Sequence, residues 1–243
     1  MQIQYLEIVT PKVDETCMTL GAQHGIAFST PVAELGNART AMISGGGRVG
    51  VRKMLRNDEE PVVRPYMLVE DIEGALAAAE AQGAQIAMQA TEIPGQGKFA
   101  IYTLGGIQLG LWNEPKSAGN DCVQQKVMHV QYLEIVTSKV NATRAILAAQ
   151  HGVEFRTPAY RLGRARTAPA ACGGRIAVRA PVTEHEEPVI RPYMLVKDIK
   201  AASNIAAKAQ GTQSGPMQET DIPGQGRLVL YALGDIQHGL WQH

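Results

Sequence analysis

The sequence predicts an α+β protein made of two tandem copies of one domain, and three observations support this prediction. The hexapeptide Tyr-Leu-Glu-Ile-Val-Thr occurs at residues 5–10 and again at residues 132–137. The correspondence continues through residues 61–69 and 188–196, and through the Ile-Pro-Gly-Gln-Gly segments at 93–97 and 222–226. Within each copy, short strand patterns alternate with helical ones. A repeat of this length indicates a duplicated domain rather than a solenoid unit.

The first half of each copy predicts one strand, one helix and three short strands. Residues 2–10 alternate with apolar side chains on both faces, which is typical of a strand covered on both sides. Asp14 is expected to be the N-cap of a helix that runs to about Gln23 and ends at Gly25. Short strands are predicted at 27–29, 38–43 and 48–53, with a glycine turn at 45–47.

The second half repeats this order after a charged loop at 56–60, which we expect to be exposed. A strand is predicted at 62–69, followed by a helix from Ile72 to Gln82 with Asp71 as its cap. The corresponding helix of the second copy runs from Asp198 to Gln210 and should stop at Gly211. Strands are predicted at 85–88, 99–103 and 107–112. Each copy therefore consists of two βαβββ modules.

A polar stretch separates the two copies. Residues 114–126 contain proline, serine, glycine and asparagine and show no apolar periodicity, which is typical of a linker. We place the first domain at residues 1–114, the linker at 115–127 and the second domain at 128–243.

Composition narrows the classes of function. The formal charge is zero and the isoelectric point is near 7.0, so there is no basic footprint for nucleic acid or an anionic membrane. No apolar run approaches a membrane span, and the N-terminus resembles no secretion signal. Cys17, Cys122 and Cys172 are odd in number, and we interpret them as reduced thiols. These features predict a cytoplasmic protein and indicate neither a nucleic-acid nor a membrane partner.

Two βαβββ modules per copy, ending in a Gly-Leu-Trp strand, resemble the vicinal oxygen chelate superfamily. This superfamily contains glyoxalase I, bleomycin-resistance proteins, fosfomycin-resistance enzymes and extradiol dioxygenases. The segments most similar to its glyoxalase-like "hydroxylase" branch are Glu-Ile-Val-Thr-Pro (7–11), Leu-Val-Glu-Asp-Ile (68–72), Ile-Pro-Gly-Gln-Gly (93–97) and Gly-Leu-Trp (110–112). The resemblance implies two tandem glyoxalase-like domains, each an open, cup-shaped mixed sheet with helices outside and the ligand inside.

The resemblance also implies where a catalytic divalent metal would be bound, namely by the first and last strands of each module. The matching positions carry side chains that do not suit Mg, Mn, Fe, Ni or Zn: Tyr5, Arg64, Gly50 and Gly110 in the first copy, and Tyr132, Arg191, Ala177 and Gly239 in the second. Glycine and alanine have no donor atom, and arginine repels a cation. Glu7 and Gln108 alone would make a poor site. We therefore predict neither a metal nor another cofactor.

Strand alternation extends the inward face from these positions. The predicted ligand-binding residues of the first copy are Tyr5, Glu7, Arg48, Arg52, Arg64, Tyr66, Gln108 and Trp112. Those of the second copy are Tyr132, Glu134, Arg175, Arg179, Arg191, Tyr193, Gln237 and Trp241.

In each predicted cup three arginines face one glutamate. This surplus of positive charge favours an anionic ligand, while tyrosine and tryptophan provide apolar walls that suit an aromatic one. The structural alternative is that Glu7 and Arg64 neutralise each other while Arg48 and Arg52 point to the rim.

Histidines offer no further site. His24 and His151 lie at helix C-termini, where an imidazolium would complement the helix dipole. His238 replaces Leu109 of the first copy and is expected to face away from the cup.

Four functions remain open at this stage. The first is metal-free binding of a small anionic or aromatic molecule, as in bleomycin-resistance proteins. The second is metal-independent catalysis, with Glu7 or Tyr66 as acid or base and arginines stabilising negative charge. The third is a metal-dependent lyase or ring-cleaving dioxygenase, against which the missing ligands argue. The fourth is a structural module. The chain is expected to be a monomer with two pseudo-symmetric domains or a homodimer.

Overall fold

A computed structural model describes residues 1–114, 127–210 and 217–243. All elements of the first sheet and its helices lie within the first copy. They are β1 (Ile3–Val9), α1 (Val13–His24), β2 (Arg39–Met42), β3 (Arg48–Arg52), β4 (Val62–Leu68), α2 (Ile72–Ala81), β5 (Gln85–Ile93), β6 (Gly97–Leu104) and β7 (Ile107–Asn113).

The second copy repeats this order. Its elements are β8 (Val130–Val136), α3 (Val140–His151), β9 (Arg166–Pro169), β10 (Arg175–Arg179), β11 (Val189–Leu195), α4 (Ile199–Gln210), β12 (Glu219–Ile222), β13 (Gly226–Leu233) and β14 (Ile236–Gln242). Two predictions fall outside the described residues. They are the linker, of which only Val127 is described, and the helix stop at Gly211.

Each copy forms one seven-stranded mixed sheet. The strand order is β2-β3-β1-β4-β7-β6-β5 in the first copy. The second copy has the equivalent order, β9-β10-β8-β11-β14-β13-β12. At the centre β1 pairs antiparallel with β4, which places Glu7 opposite Arg64 and Tyr5 opposite Tyr66. β1 also runs parallel to β3, and β4 runs parallel to β7. The two modules of one copy therefore complete one sheet.

Two local predictions were wrong. Residues 27–29 form no strand; Ser29 N donates to Thr40 O at 2.8 Å, and only an isolated bridge between Val32 and Ala38 continues the pairing. Pro31 lacks a backbone donor, so a regular ladder cannot form there. The N-cap of α1 is Lys12, and Asp14 lies in the first helical turn.

The second helix of the first copy begins as predicted. The Asp71 carboxylate accepts a hydrogen bond from Gly74 N at 3.0 Å, and this bond satisfies one of the free amides at the start of α2.

The two copies share one hydrophobic core. α1 of the first copy packs against α4 of the second, and α2 packs against α3. Equivalent hydrogen bonds cross the junction in both directions: Thr10 donates to Gly234 O and Thr137 donates to Gly105 O, while Gln23 and Gln150 donate to helix carbonyls of the opposite copy. Because these contacts occur in pairs, the copies are related by a pseudo-twofold arrangement.

The expectation of three reduced cysteines is wrong at Cys172, which is disulfide-bonded. Cys17 is a buried thiol, and burial raises its pKa to about 11. Cys122 lies outside the described residues. No helix in the described part of the chain is long and apolar enough to cross a membrane.

Candidate functional site

The concave face of the first sheet encloses a cavity of about 300 Å³. Seven of the eight residues predicted for this cup line it: Tyr5, Glu7, Arg52, Arg64, Tyr66, Gln108 and Trp112. Further lining side chains were not predicted because they come from loops or from strands outside the matched positions. They include Leu35, Leu55, Arg56, Glu59, Met88, Ile93, Phe99 and Ile101.

One wall of the cavity is aromatic. Tyr5, Tyr66, Phe99 and Trp112 lie with ring centroids 5.5–6.4 Å apart in tilted or edge-to-face pairs. This geometry is favourable for rings and stabilises the cluster beyond its buried area. Trp112 Nε1 donates to Gln96 O at 3.1 Å, so the indole is held in one orientation.

The opposite end of the cavity is polar and is centred on Glu7. Arg52 Nε donates to Glu7 Oε1 at 2.6 Å, and Arg64 Nη1 and the Tyr66 hydroxyl both donate to Oε2. Arg64 also donates through Nε and Nη2 to Gln108 Oε1, at 2.9 and 2.5 Å. Glu7, Arg52 and Arg64 are all buried.

Glu59 is a second carboxylate of this network, and the sequence analysis missed it. Arg52 donates to both of its oxygens, at 2.9 and 2.7 Å, and the Leu55 amide donates to one of them at 2.8 Å. Hydrogen bonding by Arg52 lowers the pKa of Glu59 to about 2. The side chain is only 11% exposed, so the predicted exposure of loop 56–60 is wrong at this residue.

The predicted surplus of positive charge in the cup is therefore absent. Two guanidinium groups, Arg52 and Arg64, face two carboxylates, Glu7 and Glu59, and the group is neutral. Arg48 does not join them, because it lies at the first residue of β3 and donates to Gln96 Oε1 at 2.7 Å near a separate surface cavity. The structure thus supports the pairing of Glu7 with Arg64 and contradicts the placement of Arg48 in the cup.

The second copy contains the same ionic network. Arg179 and Arg191 bind Glu134 at 2.7 and 2.9 Å, and both also bind Glu186, the counterpart of Glu59. Gln237 accepts from Arg191, as Gln108 accepts from Arg64. Arg175 binds Gln225 at 2.6 Å, so it too lies apart from the network. Tyr132, Tyr193 and Trp241 form a three-ring cluster beside it.

The glycine positions predicted to correspond to metal ligands are closed by neighbouring side chains. A Cβ atom at Gly110 would lie 2.2 Å from the Tyr66 ring, and one at Gly50 would lie 1.9 Å from the Tyr5 hydroxyl. The tyrosine rings therefore occupy the space where ligand side chains of the last strands would project. Among the described residues no three His, Cys, Asp or Glu side chains come together as a metal site. These residues do not fit a divalent metal.

The hydrogen bonds of Glu7 also limit acid–base chemistry. Both of its oxygens accept bonds from guanidinium groups, and Oε2 accepts another from Tyr66 at 3.1 Å, so little accepting capacity remains for a substrate proton. Burial, followed by the nearby Glu7 charge, raises the pKa of Tyr66 well above its usual value. Both catalytic candidates are thus held in structural contacts.

The histidines differ from expectation in one respect. His24 and His151 lie in the last turn of their helices, as predicted, but burial lowers the pKa of both to about 4, which disfavours the charged form that a dipole contact needs. His238 is buried and stacks on Tyr231, which belongs to the hydrophobic core shared by the two copies, so it faces away from the second cup, as predicted.

The two cups differ in their apolar walls. Phe99 and Ile101 of β6 correspond to Leu228 and Leu230 of β13. Ile101 is 9% exposed in its cup, whereas Leu230 is 40% exposed. The four-ring wall of the first copy becomes a three-ring wall in the second, so the first cup is the more enclosed on this side.

Comparisons with known proteins identify the fold. No protein-family profile and no curated protein sequence matches this chain. Solved structures do match. A 2,2',3-trihydroxybiphenyl 1,2-dioxygenase from Sphingomonas wittichii superposes with a TM-score of 0.64 at 12% identity, covering 100% of this chain and 90% of the dioxygenase.

Two further solved structures match over nearly the whole chain. The Mn(II)-bound glyoxalase from Novosphingobium aromaticivorans gives a TM-score of 0.64 at 13% identity, with 99% of this chain and 81% of the glyoxalase covered. A mutant 4-hydroxymandelate synthase from Streptomyces coelicolor gives 0.60 at 13% identity, with coverages of 99% and 92%.

All three proteins are members of the vicinal oxygen chelate superfamily. The chain has the fold of that superfamily, which confirms the predicted α+β class and its two tandem units. At these identities the similarity extends to the fold and not to the chemistry.

Proposed function

We propose that this protein binds a small aromatic molecule in the cup of the first copy, without a metal. The observation that carries the proposal is the wall of Tyr5, Tyr66, Phe99 and Trp112 facing a cavity of about 300 Å³. Cavities of this size lined by aromatic side chains suit small apolar ligands. The glycine positions closed by tyrosine rings support binding without a metal.

The ligand is proposed to be uncharged and to carry a hydrogen-bond acceptor. The ionic network is neutral and therefore gives little reason to expect an anionic ligand. Of the two predicted ligand types, anionic and aromatic, we propose the aromatic one. Gln108 uses its oxygen to accept from Arg64, while its amide nitrogen bonds to no described residue. Gln108 lines the cavity, and its amide nitrogen can donate to a hydroxyl or carbonyl oxygen of the ligand.

The solved structures add limited support. One of them is a dioxygenase named for trihydroxybiphenyl, an aromatic substrate, although that activity belongs to that protein. Metal-independent catalysis by Glu7 or Tyr66 remains the alternative, and it would require Glu7 to leave its two arginines.

The test uses the two tryptophans of the chain, one in each cup. After chelation and dialysis, Trp241→Phe reports the first cup through Trp112, and Trp112→Phe reports the second through Trp241. Each variant is titrated with 2-naphthol, with the anion 2-naphthoate and with cyclohexanol. Saturable quenching of Trp112 by 2-naphthol in metal-free protein supports the proposal.

Three results would contradict it. Binding that appears only after Mn, Fe, Ni or Zn is added would support a metal-dependent lyase or dioxygenase instead. A preference for 2-naphthoate would restore the anionic ligand. Turnover of a bound aromatic by metal-free protein, lost in Glu7→Gln, would favour catalysis.

Other expectations stay predictions. They are the domain boundaries at 114 and 128, the monomeric or homodimeric state, and the cytoplasmic location. The Cys172 disulfide weakens the last of these, because persistent disulfides are uncommon in reducing compartments.

A further inference from the structure

The outer face of the second copy, formed by α3 and β9, and the segment between these two elements differ in charge from the equivalent parts of the first copy. Residues 138–166 contain six lysines and arginines and one acidic residue. The equivalent residues 11–39 contain two lysines and arginines and three acidic residues. The chain as a whole is neutral, so this is a local concentration of positive charge.

The first copy shows how this face is arranged when its charges are paired. Arg39 on β2 donates to the Asp14 carboxylate on α1 at 2.9 Å. Cys17, one turn further along α1, is buried beside this pair, and its thiol pKa responds to both charges. An arginine and an aspartate thus neutralise each other at the junction of helix and strand.

The second copy removes the acid and adds a base. Arg166 on β9 takes the position of Arg39, Asn141 that of Asp14, and Arg144 that of Cys17. Arg144 Nη1 lies 3.5 Å from Asn141 Oδ1, and its guanidinium lies 5.6 Å from the centroid of the Phe155 ring.

Neither arginine pairs with a carboxylate of the described part of the protein. Arg144 Nε is buried with no hydrogen-bond partner, and the Arg166 side chain forms no hydrogen bond or ion pair with a described residue. Burial, and then the charge of Arg166, lowers the pKa of Arg144, which is consistent with two neighbouring guanidinium groups. Both side chains are partly accessible to solvent.

We propose that Arg144 and Arg166 form a binding site for a phosphate group on the outer face of the second copy, separate from the cups. Paired guanidinium groups present several N–H donors to a tetrahedral oxyanion, and such charge-assisted hydrogen bonds are among the strongest in proteins. Arg156 and Arg164 are exposed on the adjoining segment and raise the local positive potential. The proposal does not depend on the function of either cup.

The first copy supplies the design of the test. Asn141→Asp restores the acid of the first copy and should pair with Arg166, while Arg144→Gln removes the added base. Thermal unfolding of the full chain is followed in inorganic phosphate, in acetate and in sodium chloride at equal ionic strength. Asp14→Asn is the matched control, because it frees Arg39 without supplying a second arginine.

Phosphate is expected to raise the melting temperature of the wild type more than acetate or chloride does. Either second-copy variant should weaken phosphate binding about tenfold or more, as expected for losing a charged hydrogen-bond partner. Asp14→Asn should respond as the wild type does.

Several outcomes would overturn the proposal. They are a wild-type protein that responds no more to phosphate than to chloride, an acetate response of equal size, and an Asn141→Asp protein that binds phosphate as well as the wild type. Asn141→Asp is expected to fold, because the first copy already contains this arrangement.

Discussion

The two copies of this protein keep the same ionic network but surround it differently. In each, one strand carries a glutamate, and the two strands that flank it each carry an arginine that binds this glutamate; a loop glutamate completes the network. The apolar wall and the outer face diverge, with Phe99 replaced by Leu228 and Cys17 by Arg144. The copies share the ionic network and three rings of the wall, and they differ in the fourth ring and in the outer face. The network is therefore best explained as structure and the walls as the source of specificity.

The largest expected effect comes from breaking the shared network. Glu7→Gln leaves two buried guanidinium groups with one carboxylate between them, and loss of one partner in such a network costs about 3–5 kcal/mol. Glu134→Gln should cost a similar amount in the second copy. Urea unfolding measures both, with exposed Glu60→Gln as the control. A cost near that of the control would show that the network contributes little to folding.

A smaller effect is expected where tyrosines pack on glycines. Gly110→Ala places a methyl group against the Tyr66 ring, and such overpacking costs about 1–3 kcal/mol. Gly50→Ala should cost less, although its Cβ would meet the Tyr5 hydroxyl, because the second copy already has Ala177 at this position. Equal melting temperatures for the two variants would contradict the expectation that position 50 accepts alanine because the second copy has Ala177 there.

One substitution should stabilise the protein. His238 is buried with both ring nitrogens unpaired, and the first copy has Leu109 there. His238→Leu removes these unsatisfied groups and should add about 1–3 kcal/mol to the free energy of unfolding.

The stabilisation by His238→Leu should depend on pH. Burial lowers the folded-state pKa of His238 to about 4, against 6.5 for an ordinary histidine. The unfolded chain therefore binds a proton that the folded chain does not between these values, and the penalty grows as pH falls from 6.5 towards 4. The gain in denaturant midpoint should be larger at pH 5 than at pH 7.5. A gain independent of pH would show that the imidazole is not the titrating group.

Much of the fold could be predicted from the sequence because duplication and strand alternation are local signals. Tyr5, Glu7, Arg64 and Tyr66 were placed on one face by alternation, and the register confirms that they lie together. Glu59 was missed because it comes from a loop, where no periodicity indicates direction. Its counterpart Glu186 was present at the same offset of 127 residues, and that repetition was the available signal.

The wrong predictions about the site have the same cause, because strand alternation does not report where loop side chains lie or how deeply a residue is buried. Counting arginines on the predicted face gave a positive cup, but the loop carboxylate that neutralises it could not be located. Arg48 was placed inside by alternation, yet it is the first residue of β3 and bonds outward to Gln96. Burial lowers the pKa of His24 to about 4, and no local pattern of the sequence reports that burial.

The most direct test of the account is the affinity of 2-naphthol for metal-free protein and for its Phe99→Leu variant, measured by isothermal titration calorimetry. We expect saturable binding by the wild type and a loss of about 0.5–1.5 kcal/mol, a few-fold to about tenfold in affinity, when this ring contact is removed. Leu228→Phe in the second copy is the matched variant and should strengthen binding there. Equal affinity for the wild type and Phe99→Leu, or binding only with added metal, would contradict the claim that the aromatic wall holds the ligand.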